Sequence, residues 1–277
     1  MRAARLVGRY RDITRYAVLL PLTALVIFPF YWMVVVALND EAHVFNFPPN
    51  FVPLWHFKNF LRAWNAAPWP RYFFNTILVA VTTTLLVMIT STLAGYAFAS
   101  MSFPGKAIVF GAVLLVYMVP SEVTLVPNFI ILSNLGWINT YQAQIVPFAA
   151  SVFGIFLMRQ FFLGLPKDLW EAAQLDGCSH LRYLWTVAAP LARPPLVTIA
   201  VFHFVGSWNA YLWPLIMANT DSVRPLQVGL NAFQSSEGTD PVLLAAGSLL
   251  TTVPILILFL FAQKQIVGGI ASSGIRG

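Results

Sequence analysis

Charge is what this sequence has least of. Only 9% of its 277 residues are Asp, Glu, Lys or Arg, while 58% are hydrophobic; an ordinary soluble domain carries roughly 25% charged residues. With a mean hydropathy of +0.74, that deficit excludes a soluble core of this size and identifies an integral membrane protein. A single cysteine, Cys178, excludes an intramolecular disulfide. The four histidines, His43, His56, His180 and His203, have no metal-ligand spacing. No phosphate-binding loop is present: Gly105-Lys106 is followed by Ala107 and lacks the upstream glycine. Nor is there a Ser-His-Asp or Cys-His grouping. These absences argue against an enzyme, and against any nucleotide hydrolysis by this chain.

What is there is a series of apolar runs. Residues 16–39, 72–105, 123–158, 194–220 and 241–263 contain no Asp, Glu, Lys or Arg. A spanning helix needs about 20 predominantly apolar residues, and 123–158 is too long for one and is interrupted by the turn-like SNLGWIN at Ser133–Asn139. The pattern predicts an all-α protein with six transmembrane helices, near 16–38, 73–100, 107–132, 141–163, 195–217 and 241–262. With the N-terminus inside, 12 basic residues fall on the cytoplasmic side (Arg2, Arg5, Arg9, Arg11, Arg15, Lys106, Arg159, Lys167, Arg182, Arg193, Lys264 and Arg276). Only 4, Lys58, Arg62, Arg71 and Arg224, fall outside. That asymmetry predicts cytoplasmic termini, and it makes the formal charge of +6 a topology signal rather than a nucleic-acid footprint. The first span lacks a small-residue cleavage site and reads as an uncleaved anchor. The expected organisation is a cytoplasmic segment 1–15, a transmembrane domain 16–263 and a cytoplasmic tail 264–277.

Polar residues inside or beside apolar runs are the candidates for a pathway. VPSEVTLVP places Glu122 between Pro120 and Pro127, which break or kink a helix. Glu122 is then either an intramembrane carboxylate with a function or a solvated residue at the end of a broken helix; Asn128 follows it. His203 sits alone in the fifth span, as a packing residue or a pathway residue. Beyond it, SWNAYLWPL supplies Asn209 and Tyr211 as candidates, and Trp213 as an anchor at the outer interface. The aromatics of 39–71, with Trp69 and Tyr72 leading into the second span, read as headgroup-depth residues rather than a carbohydrate-stacking surface, and the loop 218–240, with Asp221, Glu237 and Asp240, as a surface for a partner protein.

One stretch breaks the apolar monotony: EAAQLDGCSHLRYLWTVAAPLARP, residues 171–194. Pro166 can open a helix continued by Lys167–Leu175, with Leu169, Ala172, Ala173 and Leu175 as a narrow small-residue stripe. Gly177 fits a left-handed position ending that helix. Ser179 is a candidate N-cap for a second helix running to Ala189, before Pro190 stops or bends it. Small residues permit close approach of another surface, and Glu171 and Asp176 supply acceptors for it. The segment reads as a docking element.

This segment resembles the EAA loop of ABC importer permeases, whose pattern is E-A-A-x-x-D-G, then about a dozen residues, then Pro. Glu171, Ala172, Ala173, Asp176 and Gly177 match it, as do Pro190 and Pro194. GIFLMRQFF (154–162), VPSEVTLVPNFIILSNLGWINTY, WNAYLWPL (208–215) and the tail QKQIVGGIASSGIRG extend the resemblance to the second permeases of maltose-type and glycerol-3-phosphate-type importers. Cys178 stands where Ala is usual, Leu184 for Phe and Ala189 for Leu, and the tail ends Ser-Gly-Ile-Arg-Gly where Gly-Ala-x-Lys-Gly is usual. The resemblance implies a type I ABC importer permease fold in a bacterial or archaeal cytoplasmic membrane. It implies as partners a second homologous permease, two ATPase subunits and an extracytoplasmic solute-binding protein. The loop 164–194 would carry a coupling helix seated in a cleft of an ATPase, which would itself hold ATP and Mg; this chain would bind no cofactor. In the maltose-type case the resemblance implies that solute contacts come mainly from the other permease. With no Lys or Arg well inside a span, a neutral or amino sugar is favoured over a phosphorylated solute. A secondary transporter using Glu122 as an ion or proton site is the alternative, but it has no need of the EAA loop.

Overall fold

The computed structural model describes residues 2–235 and 238–273; Glu237, Arg276 and the end of the 264–277 tail lie outside them. In chain order the helices are α1 (Arg2–Ala37), α2 (Glu41–Val44), α3 (Lys58–Asn65), α4 (Trp69–Ser100), α5 (Lys106–Val116), α6 (Ser121–Asn134), α7 (Tyr141–Ile145) and α8 (Val152–Leu163). They continue as α9 (Lys167–Leu175), α10 (His180–Tyr183), α11 (Ala189–Leu191), α12 (Arg193–Trp208), α13 (Leu212–Met217), α14 (Leu226–Gly229) and α15 (Pro241–Ser273). A two-residue antiparallel pair, β1 (Gln234–Ser235) and β2 (Gly238–Thr239), is the only strand pairing among the described residues.

Three helical segments are long and apolar enough to cross a membrane: Tyr16–Ala37, Trp69–Ser100 and Tyr141–Leu163, the last made up of α7, a tight turn and α8. Two further candidates are bent pairs, α5 with α6 at 97° and His180–Leu191 with α12 at 79°; Pro241–Ile257 is a shorter apolar stretch. By length and composition up to five spans qualify among the described residues, and the run 107–132 is bent, as its prolines led one to expect. The run 107–132 breaks before Pro120, which cannot donate a backbone hydrogen bond and stands as the N-cap of α6. The run 195–217 breaks at Asn209–Tyr211, between α12 and α13.

The chain forms two compact units. One comprises the residues up to Ala67 together with Leu230–Val253. In it, the side chains of α1 are exposed from Tyr16 to Phe30, and burial begins at Val35. Asn59 holds the end of α1, donating to the carbonyls of Ala37 (3.0 Å) and Asn39 (2.8 Å), while the Asn39 side chain accepts from the Leu54 amide. Asp40 caps α2; hydrogen bonds from the His43 amide and ring hold its carboxyl below the usual range.

The second unit comprises Pro68–Gly229 and the chain from Pro254. Its axis is α4, which packs against α8 and α12. Small residues let the backbones approach, as is usual where helices associate in lipid. A Cβ added at Gly95 would lie 2.6 Å from Met158 Cβ, and one at Gly154 would collide with the Ser91 side chain. At the Trp69 end, Tyr72 donates to Asp221 (2.6 Å), which also receives Arg224 (2.7 Å), and Asn75 bonds Tyr141 (2.7 Å) and the Arg224 carbonyl (2.8 Å). Trp69 and Tyr72 are buried, and Asp221 is committed to this network.

Candidate functional site

The EAA-like segment folds as two short helices joined by a tight turn. Pro166 is the N-cap of α9, whose first turn carries Asp168. At the other end the Cys178 amide bonds the Ala173 carbonyl (2.9 Å) and the Gly177 amide bonds that of Gln174 (3.0 Å). This is the six-to-one, five-to-two pattern of a Schellman cap, and Gly177 takes the left-handed φ of 71° that it needs. The Ser179 hydroxyl then accepts from the Arg182 amide at the start of α10. Of the two outcomes expected at Pro190, a stop or a bend, the helix is distorted rather than stopped. A π-turn occupies Leu184–Ala188, just where the Pro190 ring would otherwise meet the Thr186 carbonyl, and α11 carries on to Leu191. The break comes at Ala192, before Arg193-Pro194-Pro195.

An aromatic clasp holds α9 against the bundle. The Trp170 ring stacks on His180 with centroids 4.2 Å apart and meets Tyr183 edge-on at 5.1 Å. His180 Nδ1 is hydrogen-bonded to the hydroxyl of Tyr96 on α4 at 2.9 Å, and Tyr96 meets Phe162 of α8 edge-on. Each such ring pair contributes about 0.5–1.5 kcal/mol beyond its buried area. The clasp turns Ala173 inward with Trp170 and Cys178, onto a core containing Val87, Met158, Leu184 and Ile199. The expected four-residue stripe is therefore corrected: Ala173 belongs to the packed face. Leu169, Ala172 and Leu175 form the outer one, with Leu175 91% exposed. Glu171 and Asp176 flank that face, and their carboxylates have no hydrogen-bond or ion-pair partner among the described residues.

A second feature lies toward the other end of α4. Residues of α4, α7, α12 and α13 line a partly open cavity of about 290 Å³. Its walls include Val79, Phe148, Phe202, Trp213 and Pro214, and its polar groups are Thr76, Thr83, Gln144, His203 and Ser207. The Gln144 amide nitrogen donates to the Val223 carbonyl at 2.9 Å, which leaves its Oε1 without a partner; His203 Nε2 is likewise buried and unpartnered. A buried polar atom left unpaired costs roughly 1–3 kcal/mol. Of five such side-chain atoms among the described residues, these two belong to residues that line the same cavity, though the atoms themselves are closed off from it.

Among the five residues expected to face a pathway, His203 alone lines this cavity. Asn209 caps the end of α12, donating to the Val205 carbonyl (2.9 Å), and Tyr211 is exposed at the break before α13. Glu122 is exposed in the first turn of α6, the broken-helix alternative, where the helix dipole favours a carboxylate. Asn128 is half-buried one residue past Pro127. Trp213 is not an outward anchor: its indole donates to the Ala143 carbonyl (3.0 Å) and its ring meets Phe148 edge-on at 5.1 Å. The sequence reading missed Gln144 and Phe148 altogether. A glutamine in a span is a visible signal, but its partner is 79 residues away. Among the described residues, no group of three or more His, Cys, Asp or Glu could hold a metal ion.

Residues 87–267 match the family of binding-protein-dependent transport system inner membrane components. The chain belongs to that family. This inner membrane component is 32% identical over 260 residues to the arabinooligosaccharides transport system permease protein AraQ of Bacillus subtilis, covering 92% of each chain. It is 32% identical over 273 residues to the sn-glycerol-3-phosphate transport system permease protein UgpE of Yersinia enterocolitica, covering 95% of this chain and 96% of that one. A third relative, the diacetylchitobiose uptake system permease protein NgcG of Streptomyces coelicolor, is 31% identical over 266 residues, covering 94% of this chain and 88% of the other. Its fold matches a chain in the crystal structure of a bacterial ABC transporter that imports the acidic polysaccharide alginate, with a TM-score of 0.81 at 22% identity over 93% of this chain and 97% of that one. The inner membrane component is thus a multi-pass transport permease that works in a complex with other subunits.

Proposed function

We propose that this chain forms half of the translocation pathway of an ATP-driven importer for a neutral sugar or related solute. In this reading it works beside a second homologous permease, receives solute from an extracytoplasmic binding protein and is driven by two ATPase subunits, which alone hold ATP and Mg. The termini and the loop 164–194 lie in the cytoplasm, and 16–263 is the transmembrane domain. The observation that carries the reading is the outer face of α9. It offers an apolar ridge, Leu169, Ala172 and Leu175, flanked by unpaired carboxylates, on a helix clasped at its back to α4 and α8. A face of that kind suits insertion into a cleft lined by basic and apolar groups, and the clasp converts a push on α9 into rigid-body motion of the bundle. Relatives named for arabinooligosaccharide and diacetylchitobiose transport support a sugar.

The test is replacement of Glu171 by Lys and of Gly177 by Asp in the co-expressed complex. Glu171→Lys reverses a charge at the docking face; Gly177→Asp puts a side chain on a left-handed backbone and distorts the turn. Both variants are expected to insert in the membrane at wild-type levels yet lose about tenfold or more in ATPase co-purification and in uptake. Normal retention and normal uptake in both would end the coupling assignment.

A further inference from the structure

Two basic residues at the Ser100 end of α4 belong to neither the docking loop nor the cavity. Residues 101–105 interrupt the chain of helices, and α5 then opens on Lys106, with Gly105 left-handed at its N-cap (φ 75°) and no side chain capping its first turn. Lys106, Ala107, Phe110 and Gly111 share one face of α5 by their spacing, and with Arg159 of α8 they line an open groove of about 330 Å³. Backbone carbonyls at the end of α4 hold both cations in place. Lys106 Nζ donates to Met101 (2.8 Å) and Ala99 (3.3 Å), and Arg159 Nε donates to Phe98 (3.3 Å). The Arg159 guanidinium also lies over the Phe110 ring, 4.3 Å from its centroid, and Phe98 braces that ring in turn at 5.2 Å. These contacts fix the two charges without neutralising them, since neither cation has a carboxylate partner among the described residues. They leave an ammonium hydrogen and the terminal nitrogens of the guanidinium for an outside acceptor.

We propose that this groove binds the phosphate of an anionic membrane lipid, with Lys106 and Arg159 as its charged contacts and the acyl chains lying along α5. A phosphate suits the cradle. The guanidinium offers paired donors, the ammonium a point charge beside them, and the uncapped start of α5 a dipole that favours an anion. What adjoins the groove selects a lipid over a free anion or an acidic side chain of another protein. No residue of α5 is buried, and Ile108, Val109, Leu115 and Val116 are exposed along the helix as it leaves the groove. Gly111 keeps the way open, because an added Cβ there meets nothing within 4 Å. A headgroup seated at Lys106 therefore has apolar surface directly alongside for its chains, the arrangement of basic lipid-headgroup pockets between spans at the cytoplasmic leaflet. The inference rests on the importer reading only in placing this end of the bundle at the cytoplasmic face. Arg159 follows Met158, which packs on Gly95, so a lipid held here braces α5 against the same joint of α4 and α8 that carries the clasp of α9.

The complex, co-expressed and purified in detergent, is titrated with phosphatidylglycerol, phosphatidylcholine and inorganic phosphate, and adducts on this subunit are counted by native mass spectrometry. Lys106→Gln removes one charge, and Lys106→Gln combined with Arg159→Gln removes both. Gly111→Leu fills the groove and leaves the charges in place. Arg182→Gln, which removes an exposed cation of α10, is the control. Wild type is expected to hold a phosphatidylglycerol adduct that phosphatidylcholine does not replace. Its apparent affinity is expected to fall about fivefold in Lys106→Gln and about tenfold or more in the double variant and in Gly111→Leu. Arg182→Gln is expected to bind as wild type does. No phosphatidylglycerol adduct on wild type, or equal binding by wild type, Lys106→Gln and Gly111→Leu, overturns the site. An equal loss in Arg182→Gln also overturns it, in favour of bulk attraction. Inorganic phosphate that displaces the lipid at equal concentration overturns the lipid assignment in favour of a soluble phosphate. ATPase lost from Lys106→Gln with lipid binding unchanged overturns it in favour of a protein contact. A wild type without a co-purifying ATPase defeats the importer reading alone, because lipid binding is read on this subunit.

Discussion

The two ends of α4 solve opposite problems. Near Ser100, Tyr96 is buried among Phe162, Tyr183 and His180, glycine sits directly on α8, and every ring has a ring beside it. Near Trp69, α4 is bound to its neighbours by hydrogen bonds, and just beyond that network the packing opens into a cavity with two unpaired polar atoms closed off behind its walls. Interiors are normally filled to crystal-like density, so the contrast is informative. The filled end suits a part that must transmit force without deforming, and it carries the exposed face of α9. The contrast along one helix follows from where the sequence spends its aromatics and where it leaves glutamine, histidine and glycine.

Glycine substitutions break this comparison hardest. Gly95→Leu drives a side chain into Met158 Cβ and the Arg159 backbone, so the yield of folded permease should collapse, beyond the roughly 1–3 kcal/mol of ordinary overpacking. Gly206→Leu, at the open end, should yield folded protein close to wild type. Detergent-extracted monodisperse protein measures both, and equal yields would contradict the contrast. A smaller effect is expected from Trp170→Ala, which deletes the stack on His180 and the edge contact with Tyr183. Because Trp170 is only half-buried, the loss is about 2 kcal/mol, below the roughly 3–5 of a fully buried Trp→Ala. It should appear as faster proteolysis within 164–194 and weaker ATPase retention, both largely restored in Trp170→Phe. Unaltered proteolysis in Trp170→Ala would mean that the clasp does not hold the loop.

Much of the docking loop was legible because its signals are local. The Gly177 turn and the Ser179 cap depend on residues no more than five apart, so composition alone placed them. The inward turn of Ala173 was not legible. It depends on the rotation of α9 about its axis, fixed by Trp170 stacking on His180 and by Tyr96, 84 residues from His180. Likewise the apolar runs marked where helices form, but the bends did not show. Pro120 announced a break and Pro190 a stop or a bend; the chain takes a π-turn before Pro190 and breaks at Ala192, before the Pro194-Pro195 pair. The cavity was the least visible feature: His203 stood out as a lone polar residue, whereas Gln144 acquires meaning only through Val223, and Trp213 only through Phe148.

The central claim, that the outer face of α9 is where an ATPase docks, is tested most directly at Leu175. A photo-crosslinking side chain at this position, 91% exposed, is introduced into the co-expressed complex and irradiated with and without ATP. The account predicts a covalent adduct with the ATPase subunit, in a yield that changes with nucleotide. Adducts confined to this chain or to lipid, with the ATPase present in the complex, would contradict it.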